Sequence, residues 1–150
     1  MKLQEYSDNE IREEFKARFK IGGEKQLNTA SKVNDYLATL FAEYEQDVEH
    51  FVILFLNSQN RLIKSEKMFS GTINTAAVFP REIIKKVLEY NATDIILSHN
   101  HPSGETSPSS SDRAITKKIK TATESIDVNV LDHIIYGIDS YYSFADNRLL

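Results

Sequence analysis

Phe51-Val52-Ile53-Leu54-Phe55-Leu56 is a continuous apolar run without alternation, the pattern of a β-strand covered on both faces. Such a strand belongs in the centre of a sheet with helices on either side. Downstream, Asn57-Ser58-Gln59-Asn60 reads as a turn, so residues 61–69 return as an antiparallel partner. Upstream, a helix starts near Thr29 or Ser31 and turns Val33, Tyr36, Leu37, Leu40 and Phe41 to one buried face. Its acidic end, Glu43-Tyr44-Glu45-Gln46-Asp47, reads as a solvated surface.

Further along, Pro80 suits the first turn of a helix over residues 81–90 that buries Ile83, Ile84, Val87 and Leu88. Residues 94–98 form a second apolar strand, and a helix after Ser109 packs Ile115, Ile119 and Ala122. Residues 128–136 read as another strand, and Gly137-Ile138-Asp139 turns into a last short one around residues 141–144. Near the start, Ile11, Phe15 and Phe19 make a helical stripe that Ile21-Gly22-Gly23 stops. Residues 1–28 are read as an N-terminal helical extension and residues 29–150 as the main domain. Helices and strands alternate without repeats, which predicts an α/β fold with a mixed sheet flanked by helices.

The chain has 150 residues, 41% apolar and 27% charged, an ordinary globular composition. There is no Cys, so disulfides, thiolate zinc sites and the Pro-Cys-x-x-Cys pattern of zinc deaminases are excluded. Eighteen Lys and Arg against 22 Asp and Glu leave a formal charge of −4, and no overall positive field favours nucleic acid. Lys117-Lys118 and Lys120 read as a solvated helix face. The N-terminal residues lack the apolar core of a signal peptide, and residues 51–56 are too few to span a bilayer. A soluble, cytoplasmic protein without a membrane partner is expected.

Chemistry concentrates in His99-Asn100-His101, followed by Ser109 and Asp112. Alternate residues of an extended segment point the same way, so His99 and His101 project together about 6 to 7 Å apart along the strand. Residues 102–108, Pro-Ser-Gly-Glu-Thr-Ser-Pro, form a loop that swings the chain back, and Asp112 lies in the first turn of the next helix. Two imidazoles and a carboxylate form a three-ligand set for zinc that leaves a fourth position for water. Each part has an ordinary explanation alone: a strand histidine is often a spacer, and Ser-x-x-Asp is also a helix N-terminus with Ser109 as cap. Together, in a chain with four His, they favour a metal. Consecutive placement on one strand excludes an HNH nuclease, whose residues are dispersed over a ββα unit. His50 beside Glu49 and the Asp132-His133 pair can each present only one member to a shared site. His133 is read as structural. Asn100 is expected to point away from the metal and to fix the following loop, with Gly104 supplying positive φ in it.

These stretches, together with Arg81-Glu82, Asn91-Ala92, Pro102-Ser103-Gly104, Pro108, Thr116 and Leu131-Asp132-His133-Ile134-Ile135, resemble the RadC-like branch of the JAMM (MPN-plus) metallopeptidases over roughly residues 30–145. The resemblance implies a three-layer fold similar to that of cytidine deaminases, with one zinc ion per chain held by His99, His101, Asp112 and a water. It also implies that Glu49, just before the first core strand, is the base; spacing alone does not choose Glu49 over Glu66. By the same analogy Ser109 donates to the oxyanion, in competition with its capping role. A zinc-dependent hydrolase acting on a peptide or isopeptide-like amide follows, with a peptide or protein as its substrate partner. The alternative is a DNA-associated accessory protein with a structural metal. RadC proteins carry an N-terminal helix-hairpin-helix region, and with Gly22-Gly23 the one candidate hairpin before Glu49, that region is expected to be absent.

Overall fold

A computed structural model describes residues 6–19 and 26–150. Its elements, in order, are α1 (Asp8–Phe19), α2 (Ala30–Phe41), β1 (His50–Leu56), β2 (Leu62–Ser70), a 3-10 turn (Thr75–Ala77), α3 (Pro80–Tyr90), β3 (Asp94–Asn100), α4 (Ser110–Glu124), β4 (Asn129–Tyr136) and β5 (Tyr141–Ser143). The side chains of Phe15 and Phe19 and the Ile21-Gly22-Gly23 stop lie outside the described residues.

The five strands form one mixed sheet in the order β2-β1-β3-β4-β5. β1 is antiparallel to both β2 and β3, β3 is parallel to β4, and β5 closes the edge antiparallel to β4. Every residue of β1 and β3 is buried, so the run at 51–56 lies inside the sheet as its pattern demands, although β3 holds the middle position.

Strand parity sorts the core into two layers. Phe51, Ile53, Phe55, Ile95 and Leu97 pack with Ile83 and Val87 of α3 and Ile115 and Ile119 of α4. Val52, Leu54, Leu56 and Ile96 face the other way, against Val33, Tyr36, Leu37 and Phe41 of α2. The result is a three-layer α/β fold. Its parity also decides where chemistry can occur, because His99 shares a side of β3 with Ile95 and Leu97 and therefore looks toward α4.

Local signals set the helix ends. Thr29 caps α2 by accepting from the Lys32 amide at 3.2 Å, and Pro80 opens α3, where its missing N–H costs nothing. Asn91 ends α3 in the left-handed region, at φ 52°. Several expected faces shift by a residue: Leu40 and Ile84 are only half-buried, Thr123 and not Ala122 is buried on α4, and Leu88 is 68% exposed. The buried stripe of α3 is narrow: Ile83 and Val87 are its buried residues and Tyr90 packs on Phe55 at its end, whereas Leu88 lies a further 100° round the helix from Val87. Among the described residues no helix is long and apolar enough to cross a membrane.

These faces have unequal energetic weight. Ile53→Ala, at a fully buried position, is predicted to cost about 2–5 kcal/mol in urea unfolding, and Leu88→Ala to stay within about 0.5 kcal/mol. Similar losses from both would contradict the assignment of layers.

Candidate metal centre

His99 sits near the end of β3, fully buried, and His101 follows immediately after the strand. The chain then loops through residues 102–108 into Ser109, the N-cap of α4. Ser109 and Asp112 form a reciprocal capping box: Asp112 donates its amide to Ser109 Oγ at 3.0 Å, and Ser109 donates its amide to Asp112 Oδ2 at 2.8 Å. This cap aims the Asp112 carboxylate back at β3.

The three side chains converge. His99 Nε2 lies 2.9 Å from His101 Nε2 and 3.2 Å from Asp112 Oδ1, and His101 Nε2 lies 3.4 Å from Asp112 Oδ2. Ligand atoms held tetrahedrally at about 2.0–2.1 Å from zinc stand about 3.3 Å apart, so the spacing fits one small ion. Among the described residues, His99, His101 and Asp112 form a triad that could bind a metal.

The outer sides of both rings are committed. His101 Nδ1 donates to the Glu105 carbonyl at 2.6 Å, which leaves Nε2 as the nitrogen that faces the triad. The other ring is governed by a longer chain. Thr116 Oγ1, one helical turn beyond Asp112 on α4, donates to the Asp112 carbonyl at 2.7 Å. Its single hydrogen is thereby used, so His133 Nδ1 must donate to Thr116 Oγ1 across 2.6 Å. His133 Nε2 is then an acceptor, and it receives His99 Nδ1–H at 2.8 Å. His99 Nε2 is left bare toward His101 and Asp112.

Electrostatics match this polarity. His133 is fully buried and stacks on Phe144 at 4.6 Å; burial, then the neighbouring His99, pushes its pKa well below the usual value and keeps it neutral. Burial would raise the Asp112 carboxyl, but the contacts with His101 and His99 outweigh it and hold it well below the carboxylate range. The His101 pKa is raised, chiefly by Asp112. A group of side chains that draws a proton onto one ring while keeping its carboxylate ionised favours positive charge at its centre.

The remaining candidates separate clearly. Glu49 is half-buried just ahead of β1, and its charge contributes to the raised His101 pKa. Its neighbour His50 turns away, with Nδ1 2.7 Å from Ser70 Oγ and Nε2 2.9 Å from the Glu45 carbonyl. Glu66 lies on β2, hydrogen-bonded by Tyr90 and paired with Lys86 at 3.7 Å. Asp132 binds Ser143 and the Ala145 amide. Its partner in sequence, His133, is structural in the sense that it orients a ring of the triad. Asn100 does point away from the triad, but its amide bonds the backbone of residues 48 and 50, not the loop that follows it. That loop is held instead through Glu105 and by packing on Gly137, where an added Cβ would lie 2.8 Å from Thr106 Cγ2 and 3.2 Å from the Gly104 carbonyl. Gly104 has φ +83° as its turn requires. Lys118 is spent on the carbonyls of Thr75 and Val78 at 2.9 and 3.0 Å.

Sheet, helices and triad together define a JAB-type domain, and comparison with known proteins agrees. The RadC-like JAB domain family matches residues 27–149, and the chain belongs to it. A UPF0758 protein of Haemophilus influenzae (strain 86-028NP) is 52% identical over 124 residues, covering 83% of this chain and 55% of the relative. UPF0758 proteins of Actinobacillus pleuropneumoniae serotype 5b (strain L20) and Pasteurella multocida (strain Pm70) are 47% and 48% identical over 128 and 124 residues, covering 83% of this chain in both cases and 58% and 54% of their own lengths. The chain thus spans about half the length of these curated relatives.

Two outcomes are expected of metal binding. His133→Ala lowers affinity for zinc about 10- to 100-fold in chelator competition, with every ligand side chain intact; an unchanged affinity would contradict the role of the chain. The raised pKa of His101 makes protons compete with the metal past the ordinary histidine value. Affinity therefore climbs as pH rises through about 6.5 and keeps climbing above it, and a flat profile over that range would refute the pairing.

Proposed function

We propose that this domain is a zinc-dependent hydrolase that cleaves a peptide or isopeptide-like amide, with His99, His101 and Asp112 as ligands. The observation that carries the reading is the convergence of three ligand atoms whose outer hydrogen bonds are already taken. Such a site is built to hold an ion with no rearrangement of its rings. Two His and one carboxylate suit zinc and leave a coordination position for the reaction.

When bound, zinc would supply Lewis acidity, lowering the pKa of a water into the neutral range. Glu49 is assigned as general base: its carboxylate takes the proton from the attacking water and returns it to the leaving nitrogen. Ser109 fills two roles without conflict. Its Oγ lone pair accepts from the Asp112 amide, and a hydroxyl retains its own hydrogen, which it donates to the developing oxyanion.

Wild-type protein is expected to bind one zinc ion per chain and His99→Ala to lose it. Glu49→Gln keeps the metal and loses about 10²–10⁴-fold in hydrolysis across a panel of peptide and lysine-linked isopeptide substrates. Lack of stoichiometric zinc, or equal turnover by Glu49→Gln, would refute the mechanism. Ser109→Ala separates its two duties, as cap loss costs about 0.5–2 kcal/mol of stability and loss of an oxyanion donor about 10²–10³ in kcat.

A further inference from the structure

The ladder between β1 and β3 runs from Leu56↔Asp94 to Phe51↔His99 and stops there. One residue later β3 still follows β4, as Asn100 pairs with Tyr136 and His101 donates its amide to the Tyr136 carbonyl at 3.0 Å. The two strands part because one must carry His101 to the triad. Residues 48–50 are left beside β3 without a backbone partner, and Glu49 lies among them.

The Asn100 side chain closes the gap. Its Oδ1 accepts from the His50 amide at 2.7 Å, and its Nδ2 donates to the Val48 carbonyl at 2.9 Å. A carboxamide has one face of acceptor and one of donor, as a peptide group has, so it adds a rung where the backbone cannot. Asn100 is 8% exposed, and in that setting each bond is costly to leave unmade. On the other flank the Gly71 amide donates to the Glu49 carbonyl at 2.9 Å, and Gly71 has φ +104°, a conformation that favours glycine.

We infer that Asn100 is a positioning residue for Glu49: bonds to the residues on either side hold the Glu49 backbone at a set distance from the triad. The inference rests on the role proposed for Glu49 above. It ties base and ligands to a single tripeptide, in which His99 and His101 present the metal ligands and Asn100 secures the base from the opposite side. On the β2 side His50 also pairs with Ser70; on the β3 side Asn100 supplies the bonds to Val48 and His50, so the clamp acts on the base without touching the ligand rings.

The test uses the full chain. In metal-free protein, Asn100→Ala is expected to speed amide hydrogen exchange at His50 about tenfold and to leave Ile53, deep in the same strand, unchanged. Loaded with zinc, Asn100→Ala keeps one ion per chain and loses about 10- to 100-fold in kcat with KM little changed. In a Glu49→Gln background the same substitution costs nothing further. Should Asn100→Ala not fold, the nearly isosteric Asn100→Asp serves, since its carboxylate still accepts from His50 but repels the Val48 carbonyl; hydrolysis falls while His50 stays protected. Unchanged exchange at His50 in Asn100→Ala, or losses that multiply in the double variant, overturns the inference. A wild-type protein that binds zinc and cleaves no amide removes the proposed reaction, and the exchange measurement still decides the clamp.

Discussion

The carbonyl of Asp112 can only accept a hydrogen bond, and from that constraint the rest of the candidate metal centre follows. Thr116 must donate to it, His133 must donate to Thr116, and His99 must donate to His133. Each group has one polarity open to it once the previous one is set. The chain ends with the inner nitrogen of His99 bare and facing Asp112. Since Asp112 supplies both the carbonyl that starts the chain and the carboxylate at its end, the first turn of α4 sets the tautomer and the ligand geometry together. Burial of His133 makes the arrangement stable, because a charged ring there would have donors on both nitrogens and no acceptor to offer His99.

The sheet makes that chain possible. Parity along β3 turns His99 toward the layer that holds α4, and the parallel pairing of β3 with β4 brings His133 beside it, opposite Leu97 in register. The crossover through α4 returns the helix over the same strands, with Ile115 and Ile119 buried below Asp112 and Thr116. Chemistry and core thus share one face of one helix. The opposite layer, with α2, carries the apolar counterpart that lets β1 and β3 be buried on both sides.

Much of this was legible in the residues. The unbroken run at 51–56 demanded an interior strand, Pro80 opened a helix, and Ser109 with Asp112 signalled a helix start, all from local physics. The grouping of His99, His101 and Asp112 was legible because spacing and residue type coincide within 14 positions. What sequence did not reveal depends on distant partners. Thr116 carried a faint signal, one turn from Asp112 on the same helix face, but its target His133 lies 17 residues on. Asn100 was placed correctly on the far side of the strand, yet its partners, 50 and 52 residues upstream, belong to a segment that no local pattern connects to it. Leu88 misled because helical spacing alone cannot tell how wide a stripe the sheet will cover.

Family membership and site geometry together support a reading in which the metal centre is formed before any metal arrives. The direct test is the protonation pattern of the imidazoles in metal-free protein above pH 8, read from nitrogen chemical shifts by NMR. The account predicts a neutral His133, with the proton on Nδ1 in both His133 and His99. Protonation of His99 on Nε2, or a charged His133, would mean that the chain runs the other way and that the site must reorganise before it can bind.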